Sequence, residues 1–264
     1  MSTSKNKIAV ITGASSGVGA VYADRLAKRG YDLVLVARRA DRLQALASSI
    51  EKAHGVKVAT LVADLASEAG QASVEHVLVN NPAVSVLVNN AGIARLAPLA
   101  GGLLDDALSQ VSLNIVALTR LTHAALPAMK SRNEGLIINI ASVLAVNSLP
   151  ISAVYSASKA YVLAFSRGLQ QELADTAVKV QVVLPAATAT EIWDQSGVPL
   201  VALDAATVME TGAMVDAALV GLDRGEAMSW PSVADADLIE RFEAARIALF
   251  AASQTASVAP RLLA

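Results

Sequence analysis

The chain of 264 residues has no cysteine, which excludes disulfide scaffolds, cysteine-ligated zinc and thiol nucleophiles. Excess charge of either sign is also missing. The 21 Lys+Arg and 23 Asp+Glu leave a net charge of -2, and no long basic block offers a footprint for nucleic acid or anionic lipid. Although the mean hydropathy is +0.50, no window approaches the roughly 18 uninterrupted apolar residues that a membrane helix needs. Lys5 and Lys7 before the apolar run 8–11 imitate the start of a secretory signal, but Thr12 and Gly13 end that run too early. The three histidines, His54, His76 and His123, are dispersed without metal-ligand spacing, so no metal is expected. The chain reads as cytoplasmic. Its 54% hydrophobic content then has to lie in a core with both sheet faces covered or in subunit contacts.

What is present is a regular alternation. Short runs rich in Val, Ile and Leu recur at 8–11, 33–36, 56–62, 84–88, 136–140 and 178–184, the pattern of strands buried on both faces. Between them lie segments of helical periodicity at about 17–30, 40–54, 67–80, 103–132 and 152–175. Strand followed by helix, repeated about six times, predicts an α/β fold: a doubly wound parallel sheet of about seven strands with helices on both faces. Pro185, Gly197 and Pro199 interrupt the pattern, which predicts a loop or lid at about 188–210. A helix at 205–223, a strand at 226–230 and a helix at 235–252 complete one domain spanning 1–264.

The first strand runs into Thr12-Gly13-Ala14-Ser15-Ser16-Gly17-Val18-Gly19, and a helix follows. Glycines in such a turn let backbone N–H groups and the positive helix end approach a pyrophosphate. The spacing resembles the short-chain dehydrogenase/reductase family, whose turn reads Thr-Gly-x-x-x-Gly-x-Gly. Asn89-Asn90-Ala91-Gly92 after the fourth strand, Asn114 in the next helix, Ser142 after the fifth strand and Tyr155-Ser156-Ala157-Ser158-Lys159 carry the same resemblance, over roughly residues 5–190.

Tyr155 and Lys159 are four apart, so a helix projects them from one face. A phenol of pKa about 10 needs help to exchange a proton near neutral pH, and an adjacent ammonium stabilises its phenolate. Ser142 sits at a strand's carboxyl end, where its hydroxyl can donate to a carbonyl oxygen. The resemblance implies that Asn114 holds a water linking Lys159 to solvent. Each residue alone has a structural alternative: an amphipathic pair, a strand-end cap, a buried amide. Together they read as one proton-transfer unit.

In dinucleotide folds an acid after the second strand binds the ribose, whereas arginine favours the 2′-phosphate. Here Ala37 occupies the place of the acid, followed by Arg38 and Arg39, so NADP(H) is favoured over NAD(H). Ser16 argues the other way, because many NADP-preferring relatives carry a basic residue there. The resemblance implies cofactor contacts from Gly13, Ser15, Ser16, Gly17, Val18, Gly19, Asp64, Leu65, Asn90, Ala91, Gly92, Tyr155, Lys159, Pro185, Thr188 and Thr190, beside the two arginines. Ala186 stands where the family commonly has glycine, which is acceptable only if its backbone avoids positive φ.

The substrate pocket is expected from Ser142, Leu144, Asn147, Tyr155, Ala186 and Trp193, mostly apolar, and no arginine lies between Arg167 and Arg224 to clamp a carboxylate. A small uncharged carbonyl or alcohol is the expected substrate, with no nucleic acid or membrane partner. By resemblance the chain is an NAD(P)-dependent oxidoreductase, a carbonyl reductase, forming a homodimer or homotetramer. An NAD-linked secondary-alcohol dehydrogenase and a non-catalytic dinucleotide sensor are the alternatives.

Overall fold

A computed structural model describes residues 7–263; Lys5 lies outside the described residues. By its internal contacts the chain divides into a unit up to Pro231 and a second from Ser232 to Ala264, although the sequence reads as one domain over 1–264.

The first unit is built on seven strands: β1 (Ile8–Thr12), β2 (Asp32–Ala37), β3 (Val58–Val62), β4 (Val84–Asn89), β5 (Gly135–Ile140), β6 (Val178–Val183) and β7 (Met228–Ser229). They form one sheet in the order β3-β2-β1-β4-β5-β6-β7, with every pairing parallel. The helices are α1 (Gly17–Lys28), α2 (Ala40–His54), α3 (Glu68–Asn80), α4 (Leu104–Val111), α5 (Leu118–Arg132), α6 (Ala153–Glu172) and α7 (Thr211–Asp223).

Alternation along the strands divides the core in two. Ala9, Ile11, Leu33 and Leu35 pack with Tyr22 and Leu26 of α1, Leu43 of α2 and Met214 of α7. Their neighbours Val10, Val34 and Val36 pack with Val74 of α3, Leu121 of α5 and Leu169 of α6. Both faces are thereby kept from water, which is why the strands read as continuous apolar runs. Crossovers run outward in both directions from β1 and β4, and their carboxyl ends flank the crevice where open α/β sheets bind ligands.

Three boundaries differ from the periodicity. The run at 56–62 pairs only from Val58, and as an edge strand it leaves Val62 exposed. The strand expected at 226–230 shortens to two residues. The helix expected at 205–223 starts at Thr211, after three 3-10 turns, Glu191–Gln195, Leu200–Ala202 and Ala205–Thr207. Those turns make up the lid, pinned at its base by Ala189 N donating to Met209 O at 2.9 Å and Met209 N donating to Ala187 O at 2.8 Å. The long helix predicted at 103–132 contains a wide π-helical segment, Ser112–Ala117, between α4 and α5. In the second unit α8 (Ala236–Ser253) is capped by Asp235, whose side chain accepts from Asp237 N, and exposes Leu238, Ile247, Leu249 and Phe250. No helix among the described residues is long and apolar enough to cross a membrane.

Candidate active site

β1 ends at Thr12, and the chain turns so sharply that Gly13 and Gly17 adopt φ of 67° and 55°, where a side chain is strained. A Cβ at Gly13 would lie 2.7 Å from Asn90 Nδ2, and one at Gly19 would lie 2.5 Å from Gly13 O. The turn is therefore bare backbone held against the end of β4. Asn90 Nδ2 donates to Thr12 O at 2.9 Å, while the Asn90 and Ala91 amides donate to Thr12 Oγ1 at 3.0 Å. Ser16 precedes α1 without capping it through its side chain, so the helix's first N–H groups remain available to an anion.

A cleft of about 570 Å³ runs from this turn to the start of α6. Every residue expected on the cofactor side borders it except Gly19, which is buried beneath the turn. On the substrate side Ser142, Leu144, Tyr155, Ala186 and Trp193 border it. Asn147 does not: it is exposed beyond the short turn Val143–Ala145, because that turn carries the loop outward. Ala186 meets its condition, since Asn133 is the only non-glycine residue with positive φ among the described residues. None of the three histidines borders the cleft, and no cluster of His, Asp or Glu among the described residues is arranged to hold a metal ion.

Ser142, Tyr155 and Lys159 meet at one wall. Lys159 is buried, donates from Nζ to Ile140 O at 2.9 Å, and stands 5.7 Å from the centre of the Tyr155 ring. Burial disfavours charge on both groups. It pushes the ammonium down to about 8 and the phenol up to about 12, the latter opposed by the Ser142 hydroxyl. Spacing alone makes Lys159 the group that lowers Tyr155; in the folded site burial outweighs it, and the counterweight that registers is Ser142. Its own hydroxyl accepts from Leu144 N at 3.1 Å, which aims it from the turn after β5.

Asn114 is buried behind the cleft rather than in its wall, placed there by the π-helical segment. Its side chain accepts from Ile93 N, and donates to Ile93 O and to Ser158 Oγ, each at 3.0 Å. It thus fastens the loop after β4 to the helix of Tyr155 and Lys159. Its amide hydrogens are taken up by this fastening. Gly92 packs between them: a Cβ there would lie 3.2 Å from Asn114 Oδ1 and 3.6 Å from Lys159 Nζ.

On the cofactor side Arg38 is exposed. Arg39 donates to Ser15 Oγ and Ser16 Oγ and pairs with Glu191 of the lid. Two further residues escape the sequence patterns. Arg95, from the loop after β4, borders the cleft and reaches the lid, donating from Nη1 to Gln195 O at 2.5 Å and from Nη2 to Gln195 Oε1 at 3.0 Å. With Nε on Asp106 at 3.2 Å, its guanidinium clasps the lid instead of standing open to a substrate. Glu191 and Arg95 pair with residues far off in sequence, so no local motif signals either.

Comparison with known proteins follows the same lines. The family model described as short chain dehydrogenase matches residues 7–198. Human (Homo sapiens) 17-beta-hydroxysteroid dehydrogenase type 3 is 38% identical over 184 residues, 69% of this chain and 59% of that protein. Very-long-chain 3-oxoacyl-CoA reductase-B of Danio rerio is 34% identical over 201 residues, covering 72% and 62% respectively. The chain thus spans less than two thirds of the length of these curated relatives. Two solved structures cover it almost whole. A short-chain dehydrogenase from Sphingobium yanoikuyae in complex with NADPH matches with a TM-score of 0.92 and 41% identity, over 97% of this chain and 99% of that one. The bulky-bulky ketone specific alcohol dehydrogenase from Comamonas testosteroni matches with a TM-score of 0.88 and 36% identity, over 98% and 99%.

Proposed function

The chain belongs to the short-chain dehydrogenase family, nicotinamide-dinucleotide oxidoreductases acting on CH–OH groups, and on that premise we propose that it interconverts a bulky apolar ketone and its secondary alcohol using NADP(H). The observation that carries this reading is the meeting of Ser142, Tyr155 and Lys159 at one end of a cleft whose other end is the glycine turn.

The residues fit a dinucleotide. The positions of Gly13 and Gly19 leave no room for a Cβ, so backbone can lie against a pyrophosphate, and Arg38 and Arg39 border the same end of the cleft. When bound, the dinucleotide supplies the hydride for reduction or accepts it in oxidation. The chain's own residues manage the oxygen and its proton. The Ser142 hydroxyl donates to the carbonyl oxygen and offsets the negative charge that grows there. Tyr155 gives its proton to that oxygen during reduction and takes it back in oxidation. Lys159 is held by Ile140 O beneath the phenol ring, where its positive charge favours the phenolate left behind. Asn114 keeps the loop after β4 and α6 in register; with its side-chain amide hydrogens engaged, the relay expected at residue 114 would pass through another of its atoms.

Leu96, Leu144, Leu149, Ile192, Trp193 and Leu203 line the substrate end, and Arg95 is taken up by the lid, which supports an uncharged, apolar substrate. The relative specific for bulky-bulky ketones and the hydroxysteroid dehydrogenase act on substrates consistent with that shape. Exposed Leu104, Leu108 and Val116 along α4 and the segment after it support subunit pairing through those helices.

The test is turnover of ketones graded in bulk on both sides of the carbonyl, with NADPH and with NADH. Tyr155→Phe should lower kcat by about 10²–10⁴-fold while NADPH binding, read by fluorescence, is retained. Full activity in that variant, or no turnover by a wild type that binds NADPH, refutes the reading. Faster turnover with NADH assigns the cofactor to NAD.

A further inference from the structure

Glu191 opens the first turn of the lid, and its carboxylate is gripped from the far side of the cleft. Arg39 Nη1 donates to Oε2 at 2.7 Å and Arg42 Nη1 donates to Oε1 at 2.5 Å. Arg39 simultaneously donates from Nε and Nη2 to Ser15 Oγ at 3.1 and 2.9 Å, and from Nη2 to Ser16 Oγ at 2.7 Å. One guanidinium therefore joins three places far apart in sequence: the end of β2, the glycine turn and the lid. The Arg39 and Glu191 side chains are 40% and 43% exposed, which puts the bridge on the solvent rim of the cleft they border. The two arginines hold the Glu191 carboxyl at about 2, well below the usual carboxylate range, so the bridge is charged at any working pH.

We propose that the Arg39–Glu191–Arg42 bridge is a strap that keeps the lid closed over the dinucleotide and sets how long it stays bound. This rests on the reading of the cleft as a dinucleotide site. Glu191 and Arg42 are positioning residues in this scheme, since neither is assigned a contact with substrate or the reacting atoms. For the dinucleotide to leave past Ser15 and Ser16, the rim bridge has to open, so its stability multiplies the residence time. Exposed ion pairs are individually weak, and two on one carboxylate correspond to roughly a threefold to tenfold effect on release.

The experiment is stopped-flow release of NADPH and of NADH from wild type, Glu191→Gln, Arg42→Ala and the double variant, followed by cofactor fluorescence, with thermal melting as the check on folding. Arg42 is exposed on α2 and outside the cleft, so its removal leaves the core and cleft wall intact. Glu191→Gln, which loses both pairs, should release NADPH about threefold to tenfold faster, and Arg42→Ala, which loses one, about twofold to threefold faster, with NADH accelerated by the same factor in each variant. Because the two residues share one bridge, the double variant should be no faster than Glu191→Gln alone. Unchanged release in both single variants overturns the strap. Slower release of NADPH alone from Glu191→Gln also overturns it, because Glu191 would then be competing with the 2′-phosphate for Arg39. A wild type that binds neither dinucleotide removes the functional reading, and the strap with it.

Discussion

Lys159 is a cation forced into the interior, and replacing it should stabilise the protein while lowering its activity, above all in oxidation. Its pKa falls from 10.5 to about 8 because burial penalises the ammonium. A group whose folded pKa is depressed in this way binds fewer protons folded than unfolded between those two values. Stability therefore rises with pH across that window, and the full penalty applies below it. At about 1.36 kcal/mol per unit, burying the charged form costs about 3 kcal/mol at pH 7 and about 1.4 kcal/mol at pH 9.5. Lys159→Met removes this cost but loses the hydrogen bond to Ile140 O, at about 1–1.5 kcal/mol. The net expectation is a gain of about 1.5–2 kcal/mol at pH 7, or a Tm raised by about 3–6 °C for a chain of this size. By pH 9.5 the wild type has recovered about 2 kcal/mol, and the two proteins should unfold together. Urea unfolding without added dinucleotide at both pH values is the assay, with turnover measured in parallel. A variant less stable than wild type at pH 7, or a gap that does not close by pH 9.5, refutes the assignment of burial as the dominant influence on Lys159.

Gly19→Ala places a Cβ 2.5 Å from Gly13 O and 2.6 Å from Asn90 Nδ2, so the turn itself has to move. The variant should lose about 1–3 kcal/mol of stability and bind NADPH at least about tenfold more weakly by calorimetry; unchanged affinity would separate the turn from phosphate binding. Arg38 is exposed at the cleft, so Arg38→Ala should leave the unfolding midpoint in place. Its cost should fall on NADPH affinity, by about tenfold or more for a charged hydrogen bond, with NADH unaffected, and an undiminished NADPH preference would transfer the phosphate contact to Arg39.

Much of this fold is legible in the sequence for one physical reason. Strands covered on both faces carry few polar residues to blur them, so β1, β2, β4, β5 and β6 stand out as largely apolar runs between helical segments. Legibility fails where that reason fails. β3 is an edge strand with no fully buried residue, β7 is two residues long, and Ala205 to Val208 carry helical composition yet belong to the lid, which the Thr188–Met209 bridge ties at its base. The glycine turn and the Tyr155–Lys159 pair are local, set by spacing along one segment, and the structure brings them to one cleft. Asn147 shows the limit of proximity in sequence, because five residues after Ser142 the chain has already turned into solvent. Arg95 and Glu191 show the converse. They reach their places only when the lid folds back against the loop after β4 and the end of β2, a long-range event with no local signature.

In the chemistry proposed for Tyr155, the opposed shifts of Tyr155 and Lys159 would give the two reaction directions different pH dependences. Reduction needs the phenol protonated, and a group at about 12 is protonated throughout the neutral range. It remains far more acidic than the alcohol formed from the alkoxide it must quench, so it serves as the acid without further tuning. Oxidation needs the phenolate. At pH 7 a group at about 12 supplies only about one part in 10⁵ of it, so oxidation depends on whatever positive charge the loaded site brings near the ring, with Lys159 the nearest contribution from the chain itself. As pH rises through about 8, Lys159 loses its proton and that contribution with it. The expected profile is kcat/KM for ketone reduction nearly flat from pH 6 to 8, and kcat/KM for alcohol oxidation rising over the same range. Lys159→Met should depress the oxidation limb more than the reduction limb. An oxidation rate already level at pH 6, with reduction falling in mirror image, would mean that Tyr155 titrates below 6 in the loaded site, and that burial does not govern it during the reaction.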